Sequence, residues 1–233
     1  MWRRSWLSRE VLLFGLFFCA LLVLTLLTCA DHLPAISLSR LHLGAIAPMQ
    51  HAPITSLGLS ALGSITAALG VAGIVASAFI YLVPARPAWN MLHTPIDFLL
   101  SAVLIGTTLP SVLIGMLSWI FPAHSLPVSL HIWPAAVASL FWITNQTTRL
   151  VRLHRSAIFE RRAATALLHL PGLRSALIAC FGCAAAVPLF TIGGDAACAC
   201  AAAFTAVLLA RYLFFVSVVP LNMALTFTRG GTH

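Results

Sequence analysis

The chain lacks lysine altogether and is poor in charge of either sign. Acidic and basic side chains make up 8% of its 233 residues, where soluble domains carry about 25%. That shortage excludes a water-soluble globular domain. Sustained apolar–polar alternation is missing as well, which excludes a membrane β-barrel and leaves helical spans. There is no phosphate-cradling glycine loop, no nucleophile triad and no metal-binding His-Glu pattern. Internal repeats and a polar path at mid-membrane depth, the marks of a small transporter, are absent too. The six cysteines form no disulfide framework: Cys19, Cys180 and Cys183 lie inside apolar runs, where cysteine behaves as a small buried hydrophobe. Cys180-Phe181-Gly182-Cys183 and Cys198-Ala199-Cys200 invite a metal reading. Their expected depths differ by the order of 10 Å at 1.5 Å per helical residue, too far for one tetrahedral site, and the spacing is not that of an iron–sulfur run.

What is present is hydrocarbon. The chain is 61% hydrophobic, and the apolar residues gather into six long runs. They predict an all-α fold, a polytopic transmembrane bundle forming one anchor domain, with spans over 11–29, 54–83, 95–121, 128–145, 173–192 and 197–219. The first run is too long for the apolar core of a secretory signal, and no small-residue cleavage site follows it, so it is expected to remain as a span. The second is long enough to tilt, and its Gly58, Gly63, Gly70 and Gly73 suit close helix contacts. The fourth is short, with His131 and Pro134 near its start, and Pro188 predicts a kink in the fifth.

All thirteen basic residues are arginine, and the net charge is +8. Their placement reads as topology, not as nucleic-acid binding. With six spans both termini lie on one side, together with Arg3, Arg4, Arg9, Arg86, Arg149, Arg152, Arg155, Arg161, Arg162, Arg174 and Arg229. The other side holds Arg40 with Asp31 and Asp195. By the positive-inside rule the Arg-rich side is cytoplasmic. The longest connection on it, 147–171, reads as a solvated basic loop, or else as an interfacial helix or a docking surface for a partner.

Ionisable groups within spans are costly and are candidates for function. Glu10 stands at the mouth of the first apolar helix beside Arg9. Asp97 lies just inside the third span. Arg211 lies eight residues before the exit of the sixth, about 12 Å along the axis, from where it can snorkel back. All three belong to the Arg-rich half, so Arg211 is placed to pair with Glu10 or with Asp97. The bland alternatives are helix packing for all three and, for Asp97, a favourable first-turn dipole. The histidines do not offer two axial haem ligands at matching depth on facing spans: His131 is near the Arg-poor end of the fourth, His93 and His169 lie outside spans on the opposite side, and His32, His42, His51 and His124 are in loops. No haem is expected.

Three stretches stand out in order along the chain. The first is Ser5-Trp6-Leu7-Ser8-Arg9-Glu10 with its apolar continuation. The second is Tyr81-Leu82-Val83-Pro84-Ala85-Arg86-Pro87-Ala88-Trp89-Asn90, followed by Thr94-Pro95-Ile96-Asp97-Phe98. The third is Arg211-Tyr212-Leu213-Phe214-Phe215-Val216-Ser217-Val218-Val219-Pro220. Together they resemble the dimethyl sulfoxide reductase anchor-subunit family, the membrane subunit of molybdopterin oxidoreductase complexes. The family has eight spans, and the resemblance aligns this chain with the last six of them. The family's His-Leu-Gly precedes the acid motif; here His42-Leu43-Gly44 follows the first span, on the opposite side, and His42 takes no role.

The resemblance implies a multi-pass protein of the cell inner membrane. It implies oxidation of menaquinol or a related quinol in anaerobic respiration, with electrons passed to an iron–sulfur subunit and on to a molybdopterin catalytic subunit. It implies no haem, metal or covalent cofactor in this chain. Glu10 falls on the family's catalytic acid, with Ser8 and Arg9 beside it in the quinol site. Arg86, Trp89, Asp97 and Arg211 are left for partner contact or helix pairing. A partly buried carboxylate is suited to take one of the two protons that a quinol releases, and the arginines suit an electronegative partner. The alternatives are a purely structural anchor without quinol turnover and, more remotely, a small transporter.

Overall fold

In lipid a backbone must satisfy its own polar groups, so apolar runs of this length fold as helices. The computed structural model describes residues 5–32, 56–84, 86–120, 132–156 and 158–216. Arg3, Arg4, Arg40, Arg229, His42, His51, His124, His131 and the end of the third stretch from Ser217 on lie outside the described residues. Among the described residues there are seven helices and no strand: α1 (Trp6–His32), α2 (Ser56–Ile80), α3 (His93–Ile120), α4 (Ile132–Arg155), α5 (Ile158–His169), α6 (Pro171–Ile192) and α7 (Ala196–Val216). Five of them, α1, α2, α3, α6 and α7, are long and apolar enough to cross a membrane. The protein is a polytopic helical membrane protein.

The chain divides into two compact units, Met1–Ile80 and Tyr81–His233. In the first, α1 and α2 pack along their lengths. Trp6 stacks on Phe79, with ring centroids 4.6 Å apart. Further along, the Phe14 ring lies over Gly73 and the Phe17 ring over Gly70, each within 3.1 Å of where a Cβ would stand. Rising numbers on α1 thus meet falling numbers on α2, so the pair is antiparallel. Two of the four glycines of α2 take the close contact that small residues permit; Gly63 instead faces open space. Leu7, Val11, Phe18, Leu22 and Leu26 point outward from α1, as suits a helix with hydrocarbon for solvent.

In the second unit α3 packs on α4 and α7, α4 on α6, and α6 on α7, while the short α5 lies against α4 and α6. The seams are built from small residues. Ala199, Ala203, Ala206 and Ala210 recur at helical spacing on the buried face of α7; Cys180 and Ala184 do so on α6, and Ala135 and Ala138 on α4. Without water to drive association, close backbone approach is what holds such helices together. The Cys180 thiol donates to the Ala206 carbonyl at 3.4 Å. Cys180 is core, whereas Cys19 and Cys198 are exposed, because each falls on the outward face of its helix.

Pro188 lies inside α6 and the helix continues through it. Proline has no N–H, so the carbonyl four residues earlier, that of Ala184, loses its helical donor. The Ser139 hydroxyl of α4 fills that place, donating to Ala184 O at 2.6 Å from a fully buried position. The turn between α6 and α7 uses Gly194 at φ +78°, a conformation that glycine adopts without a Cβ clash. The Asp195 carboxylate then caps α7, accepting the Cys198 N–H at 2.9 Å.

The structure differs from the sequence reading at the fourth apolar run. That segment does not end at 145 in a basic loop over 147–171. It continues as α4 to Arg155, and α5 occupies most of the remainder. The fall in hydropathy after Ile143 is real but marks no helix end. It marks where the inward face of α4 becomes polar.

Candidate functional site

Residues 135, 138, 139, 142, 145, 146, 149 and 153 of α4 are all buried. Spacings of three and four put them on one face. The lower part of that face, toward Ala135, is apolar and small; the upper part is Trp142, Asn145, Gln146 and Arg149. It meets the first turns of α3 and the last turns of α7, and the polar residues of three helices form one cluster at the basic end of the unit.

Asp97 is its centre, 2% exposed. The Gln146 amide donates to Asp97 Oδ1 in a short hydrogen bond. Arg211 Nη1 stands 3.2 Å from Asp97 Oδ2. This contact is an ion pair without directional hydrogen-bond geometry at Nη1. The other Arg211 amino group, Nη2, donates to Ser101 Oγ at 3.4 Å, and the same hydroxyl accepts the Trp142 indole N–H at 3.2 Å. The Arg211 guanidinium lies 3.6 Å over the Phe98 ring. Of the two pairings open to Arg211 from sequence, the structure brings it to Asp97. A buried pair of this kind is weak as a source of net stability, since desolvation offsets the Coulomb term, but breaking it strands a charge. Its best-supported use is to fix which helices meet and in what register.

Around the cluster runs an aromatic collar. Trp89 is buried, and its indole N–H donates to the Phe214 carbonyl at 2.9 Å. The two rings stack, with centroids 5.2 Å apart and planes 7° from parallel. Tyr81 meets Trp89, Phe98, Phe214 and Phe215 in edge or tilted contacts. Arg86 is exposed and lies 4.3 Å over the Trp89 ring. The Thr94 hydroxyl closes the turn before α3 by donating to Trp89 O at 2.7 Å. His93 Nδ1 and Asn145 Oδ1 are 3.0 Å apart, tying the start of α3 to α4.

In the first unit, Ser8 and Glu10 are half-buried on the opening turns of α1, and Arg9 is exposed. The Arg9 guanidinium sits 4.5 Å over the Trp6 ring, which itself stacks on Phe79. The entrance of α1 therefore carries a carboxylate, a cation and an aromatic stack within two helical turns. Among the described residues no three His, Cys, Asp or Glu side chains converge as metal ligands.

Five participants in the buried cluster fall outside the residues singled out from sequence: Ser101, Trp142, Asn145, Gln146 and Arg149. Their signal is the helical spacing of Ser139, Trp142, Gln146 and Arg149, which extends the apolar face of the fourth run beyond its apparent end. No family model, no curated protein and no solved structure matches the chain.

Proposed function

We propose that this chain is the membrane anchor of a molybdopterin oxidoreductase complex of the dimethyl sulfoxide reductase type, seated in the cell inner membrane. It binds menaquinol or a related quinol and passes the electrons to an iron–sulfur subunit, which feeds a molybdopterin subunit. The supporting observation is that the second and third stretches of the resemblance fold onto each other. Trp89 and Phe214, 125 residues apart, share a hydrogen bond and a stacked ring pair, and Asp97 and Arg211 share the buried ion pair. Residues that give a motif its identity are accounted for when they make one another's contacts, and these do.

Glu10 is the proton acceptor. Oxidation of a quinol to the quinone releases two protons and two electrons. The half-buried Glu10 carboxylate accepts one proton at the oxygen facing the quinol hydroxyl, and the second proton leaves to water. The electrons pass singly to the iron–sulfur partner. Ser8 and Arg9 flank the acid on the same helix end.

The test is fluorescence titration of a quinol analogue against the full chain in detergent, wild type beside Glu10→Gln. The substitution keeps size and hydrogen bonding but removes the charge and the proton acceptor. Weaker binding, or loss of its pH dependence, supports the site. Identical affinity and pH profile in both proteins sinks the role of Glu10. A complex isolated from the native membrane without an iron–sulfur protein sinks the anchor role.

A further inference from the structure

The buried cluster holds two guanidinium groups and one carboxylate, and the carboxylate is engaged by Arg211 and Gln146. Arg149 is left over. It is 7% exposed, its guanidinium lies 4.9 Å over the Phe214 ring, and its Nε and Nη2 have no hydrogen-bond partner. An aromatic face answers part of a cation's charge but accepts none of its directional N–H bonds. Burying a guanidinium with free donors is costly enough that a missing partner is the natural inference.

The two unpartnered atoms identify the partner. Nε–H and the adjacent Nη2–H form one edge of the guanidinium, the edge that takes two oxygens of a carboxylate or phosphate side by side. Arg149 lines a cavity of about 30 Å³, room for about two water-sized groups, which is the room two such oxygens need. Most of the remaining wall is hydrocarbon, with Leu153, Leu167, Leu177 and Phe181 among it, beside Gln146 and Cys180. The cavity opens among α4, α5, α6 and α7, at the end of the unit where α4 finishes in Arg152, His154 and Arg155. A site with one bidentate cation and mostly apolar walls, set at that end of a membrane bundle, selects a molecule that is an oxyanion at one point and hydrocarbon elsewhere.

We propose that Arg149 binds two phosphate oxygens of an anionic phospholipid in this cavity, the lipid's hydrocarbon staying outside it in the surrounding bilayer. The lipid completes the charge balance of the Asp97–Arg211–Arg149 cluster. The ligand chemistry is a phosphate oxyanion, and free phosphate is its other source.

The experiment is thermal unfolding of the full chain in neutral-detergent micelles, titrated separately with phosphatidylglycerol, phosphatidylcholine and inorganic phosphate. Wild type is compared with Arg149→Gln, Leu177→Trp and Arg152→Gln. Phosphatidylglycerol raises the midpoint saturably in wild type and in Arg152→Gln. Phosphatidylcholine does less, because its choline brings a cation to a basic end, and inorganic phosphate at equal concentration does nothing. Arg149→Gln weakens the apparent affinity for phosphatidylglycerol by at least about tenfold, the usual worth of a charged hydrogen-bonded contact. Leu177→Trp does the same by filling the cavity while keeping Arg149, so the test survives if Arg149→Gln fails to fold. Equal response to both lipids, or an unchanged response in both variants, overturns the proposal and leaves the cavity to water. Stabilisation by inorganic phosphate equal to that by phosphatidylglycerol overturns the lipid as the source.

Discussion

Ser139→Ala should destabilise the protein far more while residue 188 is proline than when it is not. The Ala184 carbonyl has no helical donor, since Pro188 lacks an N–H, and the Ser139 hydroxyl is the group that reaches it. Removing that hydroxyl leaves a buried carbonyl unpaired. Such a loss costs about 1–3 kcal/mol in general, while hydrogen bonds between membrane helices average about 0.6 and reach about 1.7 kcal/mol. Ser139 is fully buried and the bond is short, so the upper part of the membrane range applies, about 1.5 kcal/mol. Pro188→Ala restores the amide, and the carbonyl can then close its own helical bond. In that background Ser139→Ala should cost about 0.5 kcal/mol or less, giving a coupling near 1 kcal/mol, above the about 0.3–0.5 kcal/mol within which independent sites add. The assay is reversible unfolding of four proteins (wild type, two single variants and the double) in mixed detergent–dodecyl sulfate micelles. Equal cost of Ser139→Ala in both backgrounds would refute the reasoning, because the hydroxyl would then be answering something other than the vacancy left by Pro188.

The same unfolding assay tests the other contacts. Arg211→Gln should be the more damaging change at the cluster, about 3–5 kcal/mol, since it strands the Asp97 carboxylate at 2% exposure; Asp97→Asn should cost clearly less, because the Arg211 guanidinium it leaves behind is 21% exposed and part of its charge is already screened. Equal small losses would mean the pair is not desolvated. Gly73→Val should cost about 1–3 kcal/mol by driving into the Phe14 ring, whereas Gly63→Val, facing open space, should stay within about 0.5 kcal/mol; the reverse order would show that the α1–α2 seam runs elsewhere. The Asp195 carboxyl is held below the usual carboxylate range, first by the hydrogen bond from the Cys198 backbone N–H. A depressed folded-state pKa gives stability that is complete above the unfolded value and lost as pH falls through the folded one. The midpoint difference between wild type and Asp195→Ala should therefore be constant near neutrality and shrink on acidification through the low carboxylate range; a difference independent of pH would remove the cap from the argument.

The fold was legible where lipid dictates it. An apolar run of membrane length has one way to satisfy its backbone, so α1, α2, α3, α6 and α7 follow from hydropathy with little else needed. The glycines of α2 were legible as a class but not individually: the sequence cannot say which of Gly63, Gly70 and Gly73 faces Phe14 and Phe17, since that depends on the rotation of two helices about their axes. The fourth run failed for a definite reason. Hydropathy averages all faces of a helix, whereas burial acts on one. Trp142, Asn145, Gln146, Arg149 and Leu153 share a face with Ala135 and Ala138, and the exposed Arg152 and Arg155 on the other side bring the average down. Read by face, the helix continues; read by average, it stops at 145.

The same distinction decides how Arg149 is understood. In one dimension it is one of six arginines between 149 and 174, and a run of basic residues beside a span reads as topology. In the fold these arginines divide by helix phase. Arg152, Arg155, Arg161 and Arg174 are exposed, and positive-inside charge is a sufficient account of them. Arg149 is turned inward against Phe214 with a free bidentate edge, where a topology signal would gain nothing, because a guanidinium out of contact with water or headgroups loses its hydration. A buried cation must therefore be accounted for by what it binds. Asp97 is already engaged by Arg211 and Gln146, and the Nε and Nη2 edge of Arg149 has no hydrogen-bond partner among the described residues, which is why the proposed partner is the phosphate of a membrane lipid.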